Sequence, residues 1–143
     1  MSTKQITTIE KHHVKLLIDR FSPTDPIKAR WKYFYEKQKA TYWTGIDVWK
    51  FWEYDSKKYK KYKLDNTNKI FLNERIIIKY KPKIKEIVLV AVGNSNPQVE
   101  TLSLGELNTR YPIDLPIEYF LSILPGKLII VTNHNGETLF LEQ

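Results

Sequence analysis

Three histidines, His12, His13 and His134, are the only imidazoles in this chain, and imidazole is the side chain best suited to moving protons near neutral pH. Two of them brought together, with a lysine to answer charge developing at phosphorus, could cleave RNA. Nothing in the sequence places them together. On a helix the adjacent His12 and His13 point about 100° apart instead of sharing a face, which also disfavours metal ligation by the pair. The expectation is that His12 and His13 occupy an exposed helical turn and that His134 is a polar turn residue.

Carboxylates offer a second chemistry, because Asp47, Glu53, Asp55, Asp65 and Glu74 fall near a basic stretch and a metal-dependent nuclease needs two or three of them to converge. The usual acid followed two residues later by lysine is missing, since Glu74 is followed by Arg75 and Ile76. With no cysteine, there is no thiolate zinc site, disulfide or thiol nucleophile. Five glycines form no phosphate-cradling loop, and no serine stands in a nucleophile elbow. No catalytic residue, metal or cofactor is expected, and a small nuclease is the weakest of three function classes.

The pattern that remains is one of binding. Twelve of the 19 aromatic residues, with all four tryptophans, lie between residues 31 and 62, interleaved with lysine. Lysines attract phosphates by releasing counterions, and flat rings can stack on unpaired bases. Part of this cluster has a simpler use, since Trp31, Phe34, Trp43, Val48, Phe51 and Trp52 suit a core. Trp49 and Tyr54 lie off that apolar stripe and, with Tyr59 and Tyr62, are the candidate exposed rings. The candidate nucleic-acid-binding set is Arg30, Trp49, Lys50, Tyr54, Lys57, Lys58, Tyr59, Lys60, Lys61, Tyr62 and Lys63. Arginine makes the bidentate base contacts that read sequence, and the chain has four arginines against 19 lysines. Any nucleic acid, of the single-stranded kind, would therefore be held mainly by its backbone.

Charge is divided along the chain. Residues 1–85 hold 21 Lys and Arg against 9 Asp and Glu, a net +12, whereas residues 86–143 hold 2 against 7, a net −5. Such asymmetry suggests a polyanionic partner for the first part, or pairing between the two parts. The alternative partner is an acidic protein, engaged as by an inhibitor or immunity protein through an exposed Trp/Tyr cluster. No membrane partner is expected: the longest unbroken apolar run, Ile87 to Val92, is far too short for a bilayer. A cytoplasmic location is the expectation.

The elements that must position these residues begin with a capping box, Thr7-Thr8-Ile9-Glu10, ahead of Val14, Leu17, Ile18 and Phe21 at helical spacing; a helix from about Thr8 to Arg20 follows. Asp25-Pro26 predicts the start of a second helix running to about Lys39. Val48, Phe51, Trp52, Tyr59 and Tyr62 recur at helical offsets and predict a third, from about Ile46 to Tyr62, with Lys57, Lys58, Lys60 and Lys61 at its exposed end. Beyond a turn at residues 64–68, strands are predicted over Arg75–Tyr80 and Ile84–Val92, joined by Lys81-Pro82-Lys83, and over Val99–Leu102. A helical turn capped by Ser103 and Glu106 follows, and Asp114-Leu115-Pro116 predicts a helix to Leu124. Leu128–Thr132 and Thr138–Leu141 flank Asn135-Gly136 as a hairpin. The class is α+β, with N-terminal helices followed by a mostly antiparallel sheet with one crossing helix. One domain spans residues 1–143, basic and helical to about 69, acidic and strand-rich thereafter.

Overall fold

In the computed structural model, residues 7–38, 47–64, 79–91, 99–106 and 118–143 are described. Helix α1, Thr8–Phe21, starts as its sequence dictates: Thr7 Oγ1 accepts from the Glu10 amide at 3.1 Å, and Glu10 Oε1 accepts from the Thr7 amide at 3.0 Å. Capping of this kind contributes about 1 kcal/mol. Burial of Val14, Leu17, Ile18 and Phe21 on one face contributes about 1.5–3 kcal/mol each, so packing decides that α1 persists. Helix α2, Asp25–Gln38, begins one residue earlier than the Asp25 cap implies: Thr24 Oγ1 accepts from the Ile27 amide. Trp31 is its buried anchor. Trp43 and the Phe34 side chain lie outside the described residues.

The third helix is a correction. Helical structure is confined to α3, Lys50–Glu53, after which Tyr54 adopts extended backbone and Lys60–Leu64 forms strand β1. Val48 and Phe51 do share a helical face and are buried, but Tyr54-Asp55-Ser56 interrupts the period. Lys60 to Leu64 gains a ladder of backbone hydrogen bonds against the last strand, which five lysine-rich residues could not match by burial in a helix.

Strands β2 (Ile87–Ala91), β3 (Val99–Leu102), β4 (Tyr119–Leu124), β5 (Leu128–Thr132) and β6 (Thr138–Glu142) complete one antiparallel sheet in the order β1-β6-β5-β4-β2-β3. Strand β4 replaces the C-terminal part of the expected crossing helix. All six of its residues are buried, and a short, continuous apolar run cannot be assigned to helix or strand by period alone. Tyr119, Phe120 and Ile123 favour the strand. Residues 75–78 of the expected strand, the turn at residues 65–68 and the start of the expected crossing helix lie outside the described residues. Lys81–Lys83, read as a hairpin connection, forms a single 3-10 turn. Residues 104–106 form the expected helical turn, with Ser103 and Glu106 capping each other.

The β5–β6 hairpin stands with its expected strand ends, Thr132 pairing with Thr138 across a five-residue loop. Buried Asn133 organises it: its Oδ1 accepts from the Asn135 and Glu137 amides, while Gly136 takes a positive φ of 81°.

Both faces of the sheet are buried. Val88, Val90, Phe120, Ile129, Val131, Leu139 and Leu141 face α1, α2 and α3. Ile87, Leu89, Leu121, Leu128, Ile130 and Phe140 point the other way, toward Tyr80, Ile84 and Leu104. No helix among the described residues is long and apolar enough to cross a membrane.

Candidate functional site

Strand β1 lies at an edge of the sheet among the described strands, so its outer backbone groups face outward. Its register with β6 sets the side chains: Lys61 and Lys63 oppose Leu141 and Leu139 on the helix-covered face, whereas Lys60 and Tyr62 oppose Glu142 and Phe140 on the other. Tyr62 is 38% exposed and tilts one side of its ring onto Phe140, with centroids 6.2 Å apart. Tyr54 is 42% exposed, with the Lys50 ammonium 5.8 Å from its ring centre.

Several candidate lysines are engaged within the fold. Lys61 Nζ donates to the carbonyls of Phe51 at 3.0 Å and Tyr54 at 3.3 Å, and pairs with Asp55 at 2.6 Å. It fastens the end of α3 to the edge strand. Lys50 pairs with Glu53 at 2.9 Å, and this hydrogen bond raises its pKa. Lys58 lies 3.6 Å from Asp25 and Lys63 lies 3.8 Å from Glu137. Lys57 and Lys60 are exposed and make no ion pair among the described residues; Arg30 is exposed on α2.

Tyr59, expected as an exposed ring, is a correction: it is buried against Phe21 with centroids 5.4 Å apart. It immediately precedes β1, so it falls on the helix-covered face with Lys61. Burial, helped by the nearby Asp55 charge, pushes its phenol up to about 12. Its hydroxyl and the Trp52 indole N–H are buried without a hydrogen-bond partner among the described residues.

Trp49 is half-buried, and its indole N–H donates to Glu118 Oε2 at 3.1 Å. The same carboxylate oxygen lies 3.0 Å from His134 Nδ1, and the His134 ring meets Trp49 edge-on. His134 thus joins this corner, at the Thr132 end of the sheet, and no other histidine. His13 is a second correction: it is buried, with Nδ1 2.7 Å from Ser122 Oγ on β4, while His12 is exposed. Burial, with a smaller effect from the His12 charge, lowers the His13 pKa to about 4.

The opposite end of the sheet gathers basic side chains that are far apart in sequence. Tyr80 donates its hydroxyl to Glu142, and Lys79 Nζ lies 3.8 Å from the same carboxylate and 5.2 Å from the Tyr80 ring centre. Glu142 stands opposite Lys60 on one face of the β1–β6 pair. The Gln143 amide donates to the Lys127 carbonyl and its side chain to the Arg20 carbonyl. Arg20 lies over Gly126, where a Cβ would come within 2.9 Å of its Cδ. Lys60 and Lys79 therefore lie at Glu142, the backbones of Lys127 and Arg20 hold Gln143 beyond it, and the exposed Lys81, Lys83 and Lys85 follow Lys79 in the chain.

Sequence reasoning missed Arg20 and Lys79, which reach this end of the sheet from separate elements. The excess of lysine before residue 86 was visible, but nothing in the spacing announces that Glu142 brings Lys79 beside Lys60. Among the described residues no group of three His, Asp or Glu side chains could hold a metal ion. No protein-family model, curated protein or solved structure matches the chain.

Proposed function

We propose that the protein binds nucleic acid, single strands in preference to duplex, chiefly through the sugar–phosphate backbone. The observation that carries this reading is the placing of Lys60 opposite Glu142 and of Lys79 within 3.8 Å of its carboxylate, with Tyr62 exposed on the same face of the β1–β6 pair and the Arg20 side chain over Gly126 at the same end of the sheet. Cations on separate elements can contact several successive phosphates at once, and exposed Tyr62 and Tyr54 offer ring faces to unpaired bases. Trp49 contributes little to this surface, because its edge is tied to Glu118 at the other end of the sheet.

The test is fluorescence anisotropy of labelled oligonucleotides, single-stranded and duplex, across a salt series. Single-strand affinity should fall by about 0.7 log units per log unit of salt for each phosphate neutralised. Base sequence should matter little, given the scarcity of arginine. Neutralising Lys60, Lys81 and Lys83 together should weaken binding. Undetectable binding at low salt would overturn the proposal.

A second reading rests on the edge position of β1, whose outer N–H and C=O groups could accept an added strand. Lysine along an edge discourages pairing with a second copy and favours an acidic segment. An acidic protein recovered at stoichiometric yield from lysate depleted of nucleic acid would support this alternative.

A further inference from the structure

We infer that Glu142, although negatively charged, is a positioning residue for polyanion binding, acting by holding Tyr80 and so presenting the Lys79–Lys85 segment beside Lys60; this rests on the nucleic-acid reading above. Simple electrostatics says otherwise, because a carboxylate among cations repels phosphate, and its removal should tighten binding. The geometry favours the opposite outcome. Glu142 is only 14% exposed, and its carboxylate accepts the Tyr80 hydroxyl from beneath the surface while Lys79 reaches it from outside. The bond to Glu142 raises the Tyr80 pKa, so the phenol stays protonated and donating across the neutral range. Tyr80 also packs against the sheet face that holds Phe140 and Leu128. Ring and hydroxyl together fix the start of a segment whose next residues, Lys81, Lys83 and Lys85, are all exposed. Without that anchor, these lysines would keep their charge but lose their fixed relation to Lys60, and a bound strand would have to order them.

Three variants separate anchor from charge, read by anisotropy with a labelled single-stranded oligonucleotide at several salt concentrations. Tyr80→Phe removes the hydroxyl without altering charge or volume, so it poses little risk to folding. It should weaken binding about three- to tenfold and make the salt dependence shallower by about 0.7–1.4, the share of one or two phosphates. Glu142→Ala should do the same despite raising the net charge. Glu142→Gln keeps an acceptor for Tyr80 and should retain most of the affinity. The inference is overturned if Glu142→Ala binds as tightly as the parent or tighter, or if Tyr80→Phe leaves affinity and salt slope unchanged. Failure of the parent protein to bind any oligonucleotide at low salt would instead remove the nucleic-acid reading on which the inference stands.

Discussion

His13 Nδ1 and Ser122 Oγ meet 2.7 Å apart in the middle of the α1–sheet contact, where both residues are almost wholly buried. Burial lowers the folded-state pKa of His13 to about 4, against about 6.5 in an unfolded chain. Between those values the unfolded chain binds the extra proton, so stability rises with pH. The contribution is complete above about pH 6.5 and is lost as pH falls toward 4, a change on the order of 3 kcal/mol. Thermal melts from pH 7 to pH 4 should show a falling midpoint, and the fall should be shallower in His13→Leu. Equal pH dependence in parent and variant would show that other groups govern the acid loss.

Lys60 and Lys61 are neighbours in sequence with different duties. Lys61→Met should lower unfolding free energy by about 1–2 kcal/mol in urea titrations, because two carbonyls and Asp55 lose their partner; the exposure of Asp55 keeps the figure small. Lys57→Gln with Lys60→Gln should leave stability within about 0.5 kcal/mol, as surface substitutions usually do. Equal losses from both variants would contradict the division of labour.

Elements with local causes were legible in the sequence: the capping box and apolar stripe of α1, the Asp25-Pro26 start of α2, and the β5–β6 hairpin each depend on residues within a few positions of one another. What misled was period without context. Tyr59 and Tyr62 fall at helical offsets from Phe51, but they are an inward residue before an edge strand and an outward residue within it; only the presence of β6 as a partner decides this. Tyr119 to Leu124 reads equally as helix or strand until the sheet buries it on both faces. His13 passed for a surface residue because its partner Ser122 is 109 positions away. For the candidate surface, the charge excess was legible, but the placement was not: Lys61 is drawn inward to the end of α3, while Lys79 and Arg20 reach the end of β6 through contacts across the fold.

Two glycines provide a matched control for that surface. Gly126 and Gly136 both adopt positive φ, at 70° and 81°, so alanine at either should cost about 1 kcal/mol in left-handed backbone strain. A Cβ at Gly136 meets nothing within 4 Å, whereas at Gly126 it displaces the Arg20 side chain. The two variants should lose similar stability, but only Gly126→Ala should weaken oligonucleotide binding in anisotropy titrations. Equal affinity in both would take Arg20 out of the interface.

Trp49 tests whether the two ends of the sheet act separately. Its indole edge is bound to Glu118, which also holds His134, and its ring packs on Trp52 with centroids 5.9 Å apart. Glu118→Ala should release that edge and shift Trp49 emission to longer wavelength, measured against a Trp49→Phe blank. Strands β5 and β6 put roughly 13 Å, four residues of rise, between the Glu142 end and the Thr132 end. Trp49→Ala should therefore lower stability through lost packing yet leave single-strand affinity within about twofold, far below the 1–3 kcal/mol of a ring that stacks a base. The same substitution at Tyr62 should cost affinity in that range. An affinity loss of that size at Trp49, with none at Tyr62, would move the base-stacking surface to the Glu118–His134 corner.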